Sequence, residues 1–184
     1  MADKPAYENH LHPTKARWFA IYTPYKREKR VLQLLRKKRI TAYLPLQKLA
    51  RHYTRKVKWV ELPLINCYVF VKITKDEYIK VLETNHVSHF IQFQKNLVSI
   101  PEHEIDLLQR ILGEGVNVVA ERQFFHQGDE VEIVSGSLTG IEGTLVETKG
   151  KSKVLVDLQF LGYTLQMHID PVLLRKKQHA GVLL

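Results

Sequence analysis

Nine histidines, one cysteine, 28 Lys and Arg and 19 Asp and Glu are among the chain's reactive or charged side chains, and their spacing decides which chemistry is open to it. His86 and His89 lie three apart, but they straddle a predicted strand entry, and no carboxylate pattern such as HExxH accompanies them. Cys67 has no base partner nearby in sequence and lies in the most apolar predicted strand, which reads as a buried, inert thiol. A single cysteine allows neither an internal disulfide nor a four-cysteine zinc site, and suits a reducing cytoplasm. There is no Walker loop and no dinucleotide fingerprint. The chain is therefore expected to act without catalysis, metal or cofactor, by binding.

The charge says what it would bind. The formal net charge is +9 over 184 residues, and it is unevenly placed. Between Lys15 and Val60, 15 Lys and Arg face one acid, Glu28, giving +14; Glu61 to Leu184 carries −4. Such a concentration exceeds what solubility requires and points to a polyanion such as nucleic acid. Lys26, Arg27, Lys29 and Arg30 would meet the phosphates of such a partner, with Arg51, Arg55, Lys56 and Lys58 extending the contact, and each phosphate neutralised would steepen the salt dependence. Tyr53 and Trp59 beside these charges have two readings, stacking on bases or cross-strand packing within a hairpin.

The elements that must carry these residues follow from hydrophobic period. The first 16 residues are polar and unpatterned, lack a signal-type apolar core, and are expected to be a flexible tail. No apolar run approaches a membrane span of roughly 20 residues. Residues 17–23 are aromatic and β-branched, predicting a strand, and Thr23-Pro24 predicts the start of a helix running to about Arg39, with Val31, Leu34, Leu35 and Lys38 on one face. TAYLPLQKL, a basic reversal ARHYTRK, VKWVELPL and NCYVFVKI predict strands and a protruding hairpin. Thr74 and Glu77 have capping-box spacing before a short helix, VSHFIQF predicts a strand, and Pro101 opens a third helix, with Ile105, Leu108 and Leu112 on one side, that stops at Gly113. This order predicts an α+β sandwich over 17–112, with 113–122 as a linker.

From about residue 123 the pattern is purely β. Gly136, Gly140 and Gly143 oppose helix and mark turns or close backbone approach around Leu138 and Ile141. A compact barrel of short strands over 123–176 is expected, then a flexible tail over 177–184.

The stretch FHQGDEVEIVSGSLTGIEGTLV, Phe125 to Val146, resembles a KOW motif, with Gly128-Asp129, Gly136, Gly140 and Gly143 in its register. With WFAIYTPYKREKRV, ITAYLPL, VKWVELPLINCYVFV and VSHFIQF in order before it, the chain resembles the NusG family of bacterial transcription elongation factors over 17–175. The resemblance implies an N-terminal α/β sandwich, an antiparallel sheet with flanking helices, followed by an SH3-like KOW barrel. One departure stands out: Ile65-Asn66-Cys67-Tyr68 replaces the family's Phe-Pro-Gly-Tyr, or Phe-Pro-Asn-Tyr in the specialised paralogue RfaH. With VSHFIQF, which is similar to RfaH, this tilts toward a specialised paralogue.

By matching positions, the resemblance implies that Tyr22, Tyr68, Phe70, Phe90 and Ile105 contact the clamp helices of the RNA polymerase largest subunit; for Phe70 and Ile105, plain core packing is the competing reading. It further implies a monomer that favours processive transcription of a subset of operons, with the basic residues meeting the non-template strand or upstream duplex, and with Leu138, Thr139 and Ile141, the leucine and isoleucine exposed, meeting Rho or a small-subunit ribosomal protein; for that loop, packing at the barrel end is the competing reading. RfaH-like refolding of the C-terminal domain into helix is not expected, because the glycines oppose it. A different reading, an RNA-binding ribosomal or translation protein, predicts cosedimentation with ribosomal subunits in the absence of polymerase.

Overall fold

The computed structural model describes residues 9–53, 56–92, 95–114, 118–122, 128–148, 151–158 and 163–177. The chain divides into two compact units, one of Met1–Leu46 and Glu61–Asp106, the other of Gln47–Val60 and Leu107–Leu184.

In the first unit, β1 (Arg17–Tyr22), β2 (Thr41–Tyr43), β5 (Tyr68–Ile73) and β6 (His89–Phe90) form an antiparallel sheet in the order β2-β5-β1-β6. Alternation along the strands gives it two faces. Phe19 and Ile21 of β1 and Val69, Val71 and Ile73 of β5 join Val31, Leu32 and Leu35 of α1 (Glu28–Lys37) in one core. Each such aliphatic side chain contributes about 1.5–3 kcal/mol by leaving water.

Helix α1 begins later than its sequence suggests. Thr23 donates its N–H to the Cys67 carbonyl at 2.9 Å, and Pro24 to Arg27 form a turn closed by the Arg27 N–H on Pro24 O. Lys26 there has φ +63°, so helical backbone starts only at Glu28. The shifted start turns Glu28, Val31, Leu32 and Leu35 inward, in place of Leu34, half-buried, and Lys38, exposed. At the other end, Arg39 takes φ +60°, its N–H donates to Arg36 O, and the Ile40 N–H donates to Leu35 O. This is a Schellman cap with arginine where glycine is usual.

Residues 9–16, expected to be a loose tail, are tied down. Asn9 bridges Leu97, Leu11 packs against the core, and Arg17 Nη1 donates to the His10 carbonyl. The capping box forms: the Thr74 N–H donates to Glu77 Oε2 at 3.0 Å ahead of α2 (Tyr78–Leu82). The third helix, α3, spans Glu102–Gly113 and buries Ile105, Leu108 and Ile111, with Leu112 only half-buried.

Among the described residues, strands β3 (Leu46–Tyr53) and β4 (Lys56–Pro63) pair with each other as a two-stranded sheet. In the second unit, β7 (Val118–Arg122), β8 (Asp129–Ile133), β9 (Glu142–Thr148), β10 (Lys151–Leu158), β11 (Tyr163–His168) and β12 (Leu174–Lys176) form an antiparallel sheet in the order β12-β8-β9-β10-β11-β7, the strand set of a KOW-type barrel. Val118–Arg122, the second half of the expected linker, is therefore strand, held by the β11 ladder. The C-terminal tail from residue 178 lies outside the described residues.

The glycines divide by cause. A Cβ on Gly143 would sit 2.3 Å from Leu155 O, so the β9–β10 approach excludes any side chain, whereas Gly140 has open space but φ +84°. Its N–H donates to Ile133 O at 2.7 Å, closing the loop back onto β8.

Candidate functional site

The sheet face away from α1 carries an aromatic cluster at one end. Tyr22, the last residue of β1, pairs in register with Tyr68 on one side and His89 on the other. Its ring meets Tyr68 edge to face at 6.2 Å and stacks on His89 at 5.3 Å and 20°. Tyr22 is 36% exposed, Tyr68 half-buried and His89 exposed. The result is a surface patch of three rings, with apolar faces for contact area and polar tips for a rim.

A turn at Asn66-Cys67 presents Tyr68. Cys67 has φ +67°, the left-handed backbone that the family's glycine or asparagine would occupy with less strain. Two bonds hold it: the Thr23 N–H donates to its carbonyl, and its own N–H donates to Glu28 Oε1 at 2.8 Å. Glu28, the one acid in the basic half, is buried. A hydrogen bond with the Cys67 side chain, reinforced by its charge, raises the Tyr22 phenol above its ordinary value. The thiol is half-exposed and lies in this turn, which corrects the expectation of a buried cysteine inside an apolar strand.

The other three candidates on this surface are internal. Phe70 is fully buried and stacks against Tyr43 at 6.3 Å; burial pushes the Tyr43 phenol well above its usual range. Phe90 points to the opposite face: it pairs with Ile21, meets Phe19 edge to face at 6.2 Å and stacks on Tyr78 at 4.6 Å. Its neighbour His89 takes the place beside Tyr22, a swap that only the strand register decides. Ile105 is fully buried on α3. Packing therefore claims Phe70, Phe90 and Ile105, and leaves Tyr22 and Tyr68 at the surface. Sequence reasoning missed His89, Cys67 and Glu28; the lone acid in a basic run was the available signal for Glu28.

Farther along the same face, Trp18 Nε1 donates to Glu102 Oε1 at 3.4 Å and Lys72 Nζ donates to the same oxygen at 2.6 Å. Lys72 holds the Glu102 carboxyl below its ordinary value. The first turn of α3 is thus fastened at the Trp18 end.

Lys26, Arg27, Lys29 and Arg30 are exposed charged side chains at the start of α1, with Arg36, Lys37, Lys38 and Arg39 continuing the basic surface. Arg51, Lys56 and Lys58 are exposed on the β3–β4 sheet; Arg55 lies outside the described residues, and Tyr53 is placed in β3 by its backbone alone. In the glycine loop, Leu138 and Ile141 are buried, as barrel-end packing has it and not as an exposed pair, because the loop folds back through the bonds of Ile141 N–H to Leu138 O and Gly140 N–H to Ile133 O. Thr139 is exposed, and Arg110 donates to the carbonyls of Ser137 and Thr139.

Among the described residues no group of His, Cys, Asp and Glu is placed to hold a metal, and no helix is long and apolar enough to cross a membrane.

Residues 16–109 match the NusG family model, described as transcription termination factor nusG. Among solved structures, "Domain interaction in Thermotoga maritima NusG" is similar at 20% identity and a TM-score of 0.58, covering 89% of this chain and 98% of that one. Two conformations of an MjSpt4:Spt5 complex align at 17% and 16% identity, each with a TM-score of 0.31, covering 87% and 88% of this chain and 97% and 99% of theirs. No curated protein matches.

Proposed function

The chain belongs to the NusG family, and on that premise we propose that this transcription elongation factor grips the RNA polymerase clamp helices with the Tyr22, Tyr68 and His89 patch. The supporting observation is that patch: the Tyr22 ring at the surface flanked by Tyr68 on one side and His89 on the other, set by strand register and by a strained turn that an internal carboxylate props. Aromatic side chains that combine apolar area with a polar tip are the usual anchors of such interfaces. Phe70 acts beneath them as support.

Grip on the clamp favours the closed, processive enzyme. The exposed cations of α1 extend the contact to non-template or upstream DNA, and the C-terminal sheet recruits a further partner, Rho or a small-subunit ribosomal protein, with Thr139 as the exposed residue of its loop. The Cys67 turn supports a specialised paralogue serving a subset of operons. Action by binding, without catalysis, in the cytoplasm completes the reading.

Capture of RNA polymerase by the tagged chain is expected to survive nuclease treatment and to be lost on Tyr68→Ala. Capture unchanged in that variant, or cosedimentation with ribosomal subunits in place of polymerase, overturns the proposal.

A further inference from the structure

The turn between β1 and α1 displays two side chains. Tyr25 is 63% exposed, Lys26 is exposed, and the Lys26 ammonium lies over the Tyr25 ring, 5.1 Å from its centre. Lys26 is the third residue of the turn that the Arg27 N–H closes on Pro24 O, and it takes φ +63°, where a type II turn ordinarily has glycine. Backbone held in that region by another residue is strained, and such strain collects at sites that bind. Lysine does nothing for the turn itself. What it adds is an ammonium, steadied by the neighbouring ring. Among the described residues that ammonium makes no ion pair. The acid nearest in sequence, Glu28, is buried and accepts the Cys67 N–H.

Two hydrogen bonds tie this turn to the aromatic patch. Thr23, just before it, donates its N–H to the Cys67 carbonyl at 2.9 Å, and Glu28, just after it, accepts the Cys67 N–H at 2.8 Å. Tyr22 leads into the one turn and Tyr68 follows the other, and the two tyrosines pair in register. The left-handed turns at Lys26 and Cys67 are therefore stapled side by side, at the end of the sheet that carries the patch. Tyr22, Tyr68 and His89 supply rings and polar tips; Tyr25 and Lys26 add a further ring and a full positive charge at the margin. A cation placed there selects a partner surface with opposite charge at the matching point, and it speeds encounter with that surface. Seated beside rings that grip a protein, the ammonium meets the same protein, so its counter-charge is a carboxylate.

We propose that Tyr25 and Lys26 form a second point of the polymerase grip: the ring positions the ammonium, and the ammonium pairs with an acidic side chain of the polymerase beside the seat of Tyr22, Tyr68 and His89. This rests on the reading that the patch binds polymerase, and it deepens that reading by giving the grip an electrostatic selectivity.

The test uses the full chain and immobilised RNA polymerase free of nucleic acid. Lys26→Gln and Tyr25→Ala are each expected to weaken binding roughly 5-fold, mainly through slower association, and to flatten its dependence on salt. Because one residue acts through the other, the double variant is expected to lose no more than about 2-fold beyond either alone. Tyr25→Phe keeps the ring and is expected to bind within about 2-fold of the parent. Lys26→Gly separates recognition from folding. It relaxes the turn, so its melting temperature is expected to rise while its affinity falls as in Lys26→Gln.

Parent-like affinity and salt dependence in Lys26→Gln, full additivity in the double variant, or a loss seen only when the polymerase carries DNA, the sign of a phosphate contact, overturns the proposal. Tyr68→Ala reports on the patch separately. If it abolishes capture while the Tyr25 and Lys26 variants bind as the parent does, this inference alone falls; if the parent chain itself leaves polymerase unbound, the reading of the patch falls with it.

Discussion

Glu28 accepts the backbone N–H of Cys67 at 2.8 Å, so the one acid of the basic half braces the left-handed turn that presents Tyr68. The carboxylate is buried, and its oxygen is the acceptor on which that N–H depends. Glu28→Ala is expected to cost about 1–3 kcal/mol, the penalty for leaving a shielded N–H without its acceptor. Glu28→Gln, which keeps an acceptor oxygen, is expected to cost less. Urea unfolding of both variants checks the order, and polymerase capture should fall with Glu28→Ala even below its unfolding midpoint.

Cys67 lies where glycine would relax the backbone. Cys67→Gly is expected to raise stability by roughly 1 kcal/mol in urea unfolding. The same change removes the side chain whose hydrogen bond raises the Tyr22 phenol. Without that bond, Tyr22 ionises at lower pH than in the parent. Phenolate absorbance in an alkaline titration, with Tyr22→Phe to identify the step, measures the shift.

Tyr68 and Phe70 lie on the same face of β5, yet their alanine variants should separate binding from folding. Tyr68→Ala is expected to lose at least 10-fold in polymerase affinity with a melting temperature close to the parent's. Phe70→Ala empties a fully buried site and is expected to cost about 3–5 kcal/mol. Differential scanning calorimetry beside surface-immobilised polymerase binding separates the two outcomes.

Gly143 and Gly140 predict different failures. Gly143→Ala drives a methyl group to 2.3 Å from Leu155 O, so β9 and β10 must part and amide exchange should quicken along both strands. Gly140→Ala meets open space and carries only the strain of φ +84°, about 1–2 kcal/mol. Hydrogen exchange across 142–158 tells ladder disruption from local strain.

Sequence alone sufficed where the signal was local. The runs RWFAIY and YVFVKI declared their strands through aromatic and β-branched composition, and Thr74-x-x-Glu77 declared its capping box by spacing. The start of α1 was hidden: Thr23 looks like a helix cap, but its N–H is committed to the carbonyl of Cys67, far away in sequence. Likewise, whether Phe90 or His89 stands beside Tyr22 depends on a two-residue ladder with β1, and a slip of one residue exchanges them. Exposure and barrel-end packing of Leu138 and Ile141 both stayed open for a related reason. A glycine-rich loop reads as exposed, while bonds back to β8 turn its aliphatic residues inward.

Lys26 and Arg39 bracket α1 in backbone that glycine would accept with less strain, at φ +63° and +60°. Two cations at these joints leave the helix ends less stable than they could be, by about 1 kcal/mol each. A heat-resistant version of this protein is therefore easy to design, by placing glycine at both joints. It would also be a poorer ligand for phosphate polymers, since thermal robustness and basicity draw on the same two positions.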